Sequence, residues 1–350
     1  VLAFVNYPTL TGSSNLLVNS VPLALIVAAI AGLIVAVVLS RRRPTTYAAI
    51  ARAQVRKRRR RDDSGTVAYS RRYCLVGAGP AGLIMARALI AEGVPFDWFE
   101  RQEQIGGIWT METPDSPMYA SAHFISSKYT SGFLGYPMPD HFPDYPSWQQ
   151  IRDYIQSFAR EFGLDQRVTL GVAVDRAEPL ANDRWQVTLS TGEQRTYDGL
   201  IACPGVTWHP NVPELPGAAA FTGEIRHSRT YREAGEFAGR RVLIVGAGNS
   251  GVDIACDAAR TAARAFLSVR RGYRFVPKHI FGLPTDAVLY GVIAPPRGVS
   301  LSGDPTKMID AYVGDVTRLG LPAPDHALLE SHPIMNTQVI HALQHGDLIA

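Results

Sequence analysis

Two glycine-rich stretches in this sequence have the spacing that lets a polypeptide hold a pyrophosphate. They read GAGPAG at 77–82 and GAGNSG at 246–251. In such a G-x-G-x-x-G turn, the first glycine permits the tight bend and the second lets the backbone approach the phosphates. The third allows close helix–strand packing. The helix that follows adds N–H groups and the positive end of its dipole. The predicted contacts are Gly77, Gly79, Gly82, Gly246, Gly248, Asn249, Ser250 and Gly251.

The elements around the first turn make a specific cofactor prediction possible. A short apolar strand, Tyr73–Val76, enters the turn, a helix over 83–91 leaves it, and a second strand over 95–99 ends at Glu100. A carboxylate at the end of that second strand accepts hydrogen bonds from ribose hydroxyls. We therefore expect Glu100, with Arg101 beside it, to contact the nucleotide bound at this turn.

The second turn has similar surroundings with the opposite charge at the strand end. The strand Arg241–Val245 precedes it, a helix over 252–263 follows, and the next strand, 265–269, leads into Arg270 and Arg271. A carboxylate there would repel a 2′-phosphate, whereas guanidinium groups pair with it. The second turn is thus predicted to bind NADPH. One acid-terminated and one arginine-terminated unit in a single chain together indicate FAD that is reduced by NADPH.

The stretch between the two turns resembles the fingerprint of the flavin-containing monooxygenases, F-x-G-x-x-x-H-x-x-x-Y-[K/R]. GGIW at 106–109, where Gly107 and Trp109 would face a flat cofactor, agrees with this resemblance. So does RRG at 270–272. Where the chain leaves the first domain, the family has A-T-G and this sequence has CPG at 203–205, so only Gly205 is kept. The resemblance runs from about Tyr73 to Ala350. The fingerprint positions in this sequence are Phe221, Gly223, His227, Tyr231 and Arg232.

The resemblance implies an α/β fold with two Rossmann-like three-layer dinucleotide-binding domains, one for FAD and one for NADPH. It also implies a reaction. NADPH reduces FAD, O₂ forms a C4a-hydroperoxide that is protected from water, and one oxygen atom passes to an amine nitrogen or a sulfur. A Baeyer–Villiger monooxygenase is the nearest alternative, although those enzymes normally have Trp where this chain has Tyr231. An uncoupled NADPH oxidase or flavin reductase, and a membrane-tethered nucleotide-binding protein without activity, are the others.

One position departs from the family pattern beside the flavin. The family has an Asn six residues after a Tyr, and counting from Tyr119 reaches Ile125. An aliphatic side chain forms no hydrogen bond to a flavin intermediate or to oxygen. Either Ser126 or His123 is therefore expected to take the catalytic role, unless the chemistry differs.

The N-terminal region predicts a membrane anchor. Residues 21–39 are uncharged and apolar, and 19 residues of helix span about 28 Å, close to the thickness of the hydrocarbon core of a bilayer. Arg41, Arg42 and Arg43 follow directly. By the positive-inside rule, the chain beyond them lies on the cytoplasmic side. The sequence thus predicts a single-pass membrane protein with its catalytic domain in the cytoplasm.

Charge is distributed unevenly and excludes a nucleic-acid partner. Residues 41–72 hold 12 Lys+Arg and 2 Asp, whereas 73–350 hold 23 Lys+Arg against 29 Asp+Glu. The high pI therefore belongs to a short tail. The three cysteines are far apart, without zinc-ligand spacing, so no metal site is predicted.

The predicted organisation has six parts, and small molecules and O₂ are the expected partners. The family carries a further closing segment, so the resemblance implies a chain that is truncated at its C-terminus. The parts are an extracytoplasmic tail (1–20), a transmembrane helix (21–39), a basic linker (40–70), the FAD domain (71–216), the NADPH domain (217–332) and a segment returning into the FAD domain (333–350).

Overall fold

The computed structural model describes residues 72–113, 115–299 and 303–350, which belong to one compact part of the chain. The predicted tail (1–20), transmembrane helix (21–39) and linker (40–70) lie outside these residues. Within the described ranges, no helix has the length and apolar character needed to cross a membrane. The described chain has a mixed α/β fold.

The first strand–turn–helix unit is built on a parallel sheet of three strands in the order β2-β1-β6. Helix α1 connects β1 to β2 and begins with Pro80, whose fixed φ and missing N–H suit the first helical position. Helix α1 therefore starts three residues before the predicted 83. The elements are β1 (Tyr73–Val76), α1 (Pro80–Ala91), β2 (Phe96–Phe99) and β6 (Gly199–Ala202).

Helix α2 (Trp148–Glu161) covers one face of this sheet together with α1. Its N-terminus carries a capping box in which Ser147 and Gln150 satisfy each other's backbone N–H groups. Its apolar residues recur at helical spacing and are buried in one cluster with residues of β1 and α1. They are Ile151, Tyr154, Ile155 and Phe158.

An antiparallel sheet covers the opposite face of the first parallel sheet. Its strands are β3 (Val174–Leu180), β4 (Arg184–Leu189) and β5 (Gln194–Tyr197), in the order β3-β4-β5. Side chains of β4 and β5 form one buried cluster with Cys74 of β1 and Phe99 of β2. The first unit therefore has three layers: helices, parallel sheet and antiparallel sheet.

The second unit repeats the arrangement of strand, glycine turn and helix. Its sheet is also parallel, in the order β11-β8-β7. Helices α3 and α6 pack on one face, where Val252, Ala255 and Val339 are completely buried. The elements are β7 (Arg241–Val245), α3 (Asn249–Thr261), β8 (Arg264–Ser268), α6 (Gln338–His345) and β11 (Leu348–Ile349).

The segment predicted to return into the FAD domain, 333–350, takes a different course. Leu348 pairs with Ala265 and Ile349 pairs with Phe266, so β11 extends the second sheet. The physical reason is α6, which buries Val339 and Ile340 against α3 and directs the following residues to the edge of β8. As far as the described chain extends, this segment thus belongs to the second unit.

The second sheet is covered differently on its two faces. Leu243 and Val245 of β7 each remain 60% exposed, and Ile349 of β11 remains 39% exposed. They lie on the face opposite α3. No described residue forms a layer over this face comparable to the antiparallel sheet of the first unit.

The remaining elements connect or flank the two units. A two-stranded antiparallel ribbon of β9 (His279–Ile280) and β10 (Leu283–Pro284) leads into α4 (Thr285–Leu289), and α5 (Pro305–Val313) follows. Short 3₁₀ helices lie at Gly107–Trp109, Ala181–Asp183, Ala218–Ala220, Ser228–Thr230, Ala234–Phe237 and Val316–Leu319.

Candidate functional site

In the first glycine turn, the fold itself requires Gly77 and Gly82 but not Gly79. Gly77 has φ of +95°, and a Cβ there would lie 2.3 Å from the carbonyl oxygen of Cys203. A Cβ on Gly82 would lie 1.9 Å from the oxygen of Gly77. A Cβ on Gly79 would only reach ordinary contact with the Cα of Gly107, at 3.6 Å. The protein itself therefore leaves room for a Cβ at 79, and contact of Gly79 with a nucleotide stays a prediction.

The loop at 106–109 lies directly beside this turn. The amide of Gly106 donates to the oxygen of Ala78 at 3.2 Å, and a Cβ on Gly107 would come within 3.0 Å of the Cα of Gly79. Trp109 packs edge-on against Phe124, with ring centroids 5.3 Å apart. Because the N-cap residue of α1 is Gly79, which has no side chain to form a cap, N–H groups of the first turn are available to an anion.

Glu100 is buried at the end of β2, with 6% of its surface exposed. Its carboxylate accepts hydrogen bonds from the amide of Ala78 at 2.5 Å and the amide of Gln102 at 2.9 Å. A carboxylate has about four acceptor positions, so two bonds leave capacity for ribose hydroxyls. The same carboxylate also braces the turn, which the sequence does not predict.

Trp208 was not identified from the sequence, and it lies at this end of the sheet. The guanidinium of Arg101 lies 4.1 Å from the centroid of the Trp208 ring. Gly205 has φ of +77°, and a Cβ there would lie 2.9 Å from the indole nitrogen of Trp208. Three predicted cofactor-binding residues, Glu100, Arg101 and Gly205, thus lie at or beside the end of the first sheet.

A second tryptophan, Trp98, forms a hydrogen bond to the first glycine turn. Trp98 is 1% exposed, and its indole N–H donates to the oxygen of Gly77 at 2.9 Å. The bond satisfies a buried polar group on each side. Trp98 thereby ties β2 to the turn between β1 and α1.

The second glycine turn has the same internal packing but open surroundings. Gly246 has φ of +100°, and a Cβ on Gly251 would lie 2.2 Å from its oxygen. Among the described residues, nothing lies within 4 Å of a Cβ built on Gly246 or Gly248. The N-cap residue of α3 is Gly248, which has no side chain to form a cap. This turn therefore presents an accessible helix N-terminus.

Polar residues predicted to bind the second nucleotide lie around this turn. The side chain of Asn249 accepts from the amide of Met335 at 2.9 Å and donates to the oxygen of Pro333 at 3.3 Å, so it anchors the 333–335 segment. Ser250 and Arg270 are exposed. The Arg271 guanidinium is exposed too and donates to the hydroxyl of Ser331 at 2.9 Å. Contact of these residues with a nucleotide stays a prediction.

The five fingerprint positions do not converge on one point. The Phe221 side chain is 60% exposed and lies across Gly223, where a Cβ would meet its ring at 2.6 Å. The Nδ1 atom of His227 accepts from the amide of Arg229 at 3.1 Å and so caps a 3₁₀ helix.

The last two fingerprint residues face the junction between the units. Tyr231 is 2% exposed, stacks on Phe237, and donates to Asp257 at 2.7 Å. The guanidinium of Arg232 donates to the oxygen of Arg229 at 2.8 Å and to that of Met118 at 3.3 Å. The sequence does not identify Asp257 as a partner of Tyr231.

The residues around the missing asparagine occupy different surroundings. His123 is exposed, with its Nδ1 atom 2.8 Å from the oxygen of Ser121. Ser126 is half-buried. Ile125 packs against an aliphatic cluster, so it contributes no polar group to its surroundings; the cluster consists of Val276, Ile309 and Met335.

Burial controls the ionisation of the nucleophilic side chains. It raises the pKa of Cys74 and that of Cys256 to about 12, and it raises the pKa of Cys203. All three thiols therefore stay protonated at neutral pH and are poor nucleophiles. Burial also lowers the pKa of Lys278, against the opposing charge of Asp253.

Comparisons with known proteins agree with the predicted resemblance. The family model described as "Flavin-binding monooxygenase-like" matches residues 70–294. Flavin-containing monooxygenase 5 of Oryctolagus cuniculus is 32% identical over 300 residues, covering 79% of this chain and 55% of that protein. Flavin-containing monooxygenase 3 of Canis lupus familiaris is 35% identical over 215 residues, covering 58% of this chain and 40% of that protein. The chain thus spans about half the length of such relatives.

Solved structures give the same result for the fold. S-allyl-L-cysteine S-oxygenase from Allium sativum superposes with a TM-score of 0.54 at 30% identity, covering 61% of this chain and 54% of that chain. Cyclohexanone monooxygenase, in an open crystal structure, superposes with a TM-score of 0.61 at 18% identity, covering 80% and 66%. The second likeness concerns the fold alone.

Proposed function

The chain belongs to the flavin-binding monooxygenase-like family, and from this premise we propose that it is an FAD- and NADPH-dependent monooxygenase. It transfers one oxygen atom of O₂ to a soft nucleophile, an amine nitrogen or a sulfur. The observation that carries the proposal is the pair of glycine turns in one chain with opposite charges after their second strands. Glu100 follows the first pair of strands, and Arg270 and Arg271 follow the second.

The first unit offers the features that an FAD site needs. Gly79 leaves the backbone bare beside the N-terminus of α1, where a pyrophosphate is favoured by the N–H groups and the helix dipole. Glu100 retains acceptor capacity for a ribose, and Gly107 keeps the neighbouring loop backbone close to Gly79. These residues would hold the adenosine and pyrophosphate parts of FAD.

The second unit offers a matching site for NADPH. The open space around Gly246 and Gly248 admits a pyrophosphate at the start of α3. Arg270 and Arg271 are exposed shortly after β8, where guanidinium groups would pair with the 2′-phosphate. Discrimination against NADH would come from these two arginines.

When bound, FAD takes hydride from NADPH and supplies the electrons that activate O₂. The protein's part is to bind both nucleotides, to orient them and to exclude water. The apolar wall formed by Trp109 and Phe124 beside the first turn suits water exclusion. A sulfur substrate is compatible with the name of the Allium sativum S-oxygenase, which shares 30% identity with this chain.

An uncoupled NADPH oxidase is the second candidate, and Ile125 is the observation that favours it. The family has an asparagine where this chain packs Ile125 against Val276, Ile309 and Met335. Without an amide there, reduced flavin would pass two electrons to O₂, and H₂O₂ would be released instead of an oxygenated product. The membrane location expected from residues 21–39 is a separate proposal.

The test is to load the full chain with FAD and supply NADPH and ¹⁸O₂ with a thioether, a tertiary amine and a ketone. We expect a labelled S-oxide or N-oxide in proportion to the NADPH consumed. Stoichiometric H₂O₂ without labelled product would identify an oxidase, and a labelled ester would identify a Baeyer–Villiger enzyme. A chain that takes up no FAD would contradict the proposal altogether.

Two matched alanine variants test the assignment of cofactors to turns. Gly79 and Gly248 have φ of −75° and −69°, so alanine suits both backbones. Neither Cβ would clash with the described protein. We expect Gly79→Ala to fold normally and lose FAD, measured by absorbance. We expect Gly248→Ala to retain FAD and raise the Kd for NADPH about tenfold or more. Normal FAD content in Gly79→Ala would refute the assignment.

A further inference from the structure

Two aspartates on α3 connect the second nucleotide-binding unit to the first. Asp253 and Asp257 are one helical turn apart and therefore lie on the same side of α3. Helix α3 begins at the second glycine turn, so any restraint on its middle also restrains that turn. We refer to Asp253 and Asp257 as the α3 carboxylates.

Asp257 is the more deeply buried of the two, with 2% of its surface exposed. It accepts a hydrogen bond from Ser121 of the first unit at 2.5 Å and one from Tyr231 of the connecting segment at 2.7 Å. Arg260 of the same helix forms an ion pair with it. A buried carboxylate is tolerated only when it is fully paired, and three separate segments supply the partners here.

Asp253, like Asp257, accepts hydrogen bonds from the first unit and from another segment of the chain. It accepts from the hydroxyl of Tyr119, again in the first unit, at 2.9 Å and from the side-chain amide of Asn336 at 2.7 Å. Burial raises the pKa of Asp253, while its hydrogen bonds oppose that shift. The first unit therefore donates to both α3 carboxylates through hydroxyl groups two residues apart.

Packing around these bonds makes the connection rigid. Tyr119, Ala122 and Trp148 of the first unit belong to the same buried cluster as Val252 and Ala255 of α3. The amide of Ala120 also donates to the oxygen of Arg232 at 2.7 Å. Close-packed clusters with paired polar groups have few alternative arrangements.

We propose that the α3 carboxylates are positioning residues, which set the distance between the two glycine turns and thereby the rate of hydride transfer from NADPH to FAD. This inference rests on the proposed function. Hydride transfer needs reacting atoms about 3–3.5 Å apart, and a displacement of about 1 Å lowers such a rate about 100-fold. A hydroxyl that holds α3 against the first unit therefore acts on the rate without touching either nucleotide.

The test removes the two hydroxyl groups and keeps the carboxylates. In the double variant Tyr119→Phe with Ser121→Ala, Asp253 retains Asn336 and Asp257 retains its other two partners. The matched control is Tyr197→Phe, which removes a bond of 2.8 Å to Asp97 within the first unit. Tyr197 and Tyr119 are both buried, at 1% and 6% exposure.

The measurement is anaerobic stopped-flow reduction of bound FAD by NADPH, which separates the rate of reduction from the Kd of NADPH. We expect the double variant to be reduced about 10- to 100-fold more slowly, with normal FAD content and normal reduction by dithionite. Tyr197→Phe should be reduced at the wild-type rate. An unchanged rate in the double variant, or an equal loss in the control, would overturn the inference.

A second readout needs no cofactor. Hydrogen exchange at the amides of Ala120 and Ala122 in the cofactor-free chain should accelerate in the double variant and stay unchanged in Tyr197→Phe. Unchanged exchange in the double variant would show that the α3 carboxylates do not hold this segment. If the wild-type chain takes no hydride from NADPH, the proposed function fails and the positioning role fails with it, whereas the exchange result still decides the contact.

Discussion

The two glycine turns have nearly the same local geometry, but the chain around them differs. Aligned on their first glycines, Cys74 of β1 corresponds to Leu243 of β7. Cys74 is completely buried under the antiparallel sheet, whereas Leu243 is 60% exposed. The turns themselves show the same contrast, because a Cβ on Gly77 would lie 2.3 Å from the carbonyl oxygen of Cys203, whereas no described atom lies within 4 Å of a Cβ built on Gly246.

Some properties of such a unit depend only on its local sequence. Both turns share positive φ at the first glycine and close contact of the third glycine with it, because the six-residue spacing dictates them. The layer that covers the outer face of the sheet is not a local property, because in the first unit it is formed by β3–β5, which are inserted between α2 and β6. The stability of each turn should therefore depend on its surroundings more than on its own sequence.

A charge placed at the two corresponding strand positions should separate the two units most clearly. Cys74→Asp buries a carboxylate without a designed partner and should destabilise the fold by at least about 4 kcal/mol. Leu243→Asp places the same group on an exposed face and should change stability by about 1 kcal/mol or less. Urea unfolding followed by circular dichroism measures both. Equal losses would show that the face around Leu243 is covered in solution.

A smaller difference is expected for alanine at the first glycine of each turn. Gly77→Ala and Gly246→Ala share the strain of positive φ, about 1–2 kcal/mol. Only Gly77→Ala also drives a Cβ against the oxygen of Cys203, which should add about 1–3 kcal/mol. Thermal unfolding of the cofactor-free variants measures the difference. A Gly246→Ala variant as unstable as Gly77→Ala would mean that the second turn is also enclosed.

The smallest effect concerns how the antiparallel sheet is attached to the first unit. Asp97 of β2 accepts from Arg72 and from Tyr197 of β5. Burial opposes its ionisation, but these hydrogen bonds and the charges of Arg72 and Arg195 outweigh burial and lower the pKa of Asp97 below 3.8. Asp97→Asn should therefore destabilise the protein at neutral pH by about 1–2 kcal/mol.

The pH dependence of this effect has a definite sign. A lowered carboxyl pKa stabilises the fold above the ordinary value of 3.8, and the contribution is lost as the pH falls through the folded-state pKa. The difference between wild type and Asp97→Asn should thus be full near neutral pH and shrink in acid. Chemical unfolding at several pH values measures it, and a difference that grew in acid would contradict the assignment.

The strand–turn–helix units were predictable from the sequence because their determinants are local. The predicted strands Tyr73–Val76 and Arg241–Val245 agree with β1 and β7, and the family resemblance is confirmed. The helices begin earlier than predicted, at Pro80 and Asn249, because the second half of each turn is already helical.

Features that depend on distant partners were missed. The α3 carboxylates meet residues 134 and 136 positions earlier in the chain, and no spacing rule connects them. Trp208 meets Arg101 because β2 and β6, which precede them, are parallel strands that end at the same edge of one sheet. The path of residues 333–350 depends on the packing of α6 against α3. The two-residue strand Leu348–Ile349 is too short to predict this path from its own sequence.

The hydrogen bond between the Trp98 indole and Gly77 has an optical consequence. The five tryptophans of the chain all lie between positions 98 and 208, so none belongs to the strands and helices of the second unit. Trp98 touches the first turn, and Trp148 packs in the cluster shared with α3. All tryptophan fluorescence therefore arises outside the strands and helices of the second unit, with Trp98 at the first turn and Trp148 at the junction. A label introduced after residue 217 would act as an energy acceptor for these donors and respond to a change in the distance between the units.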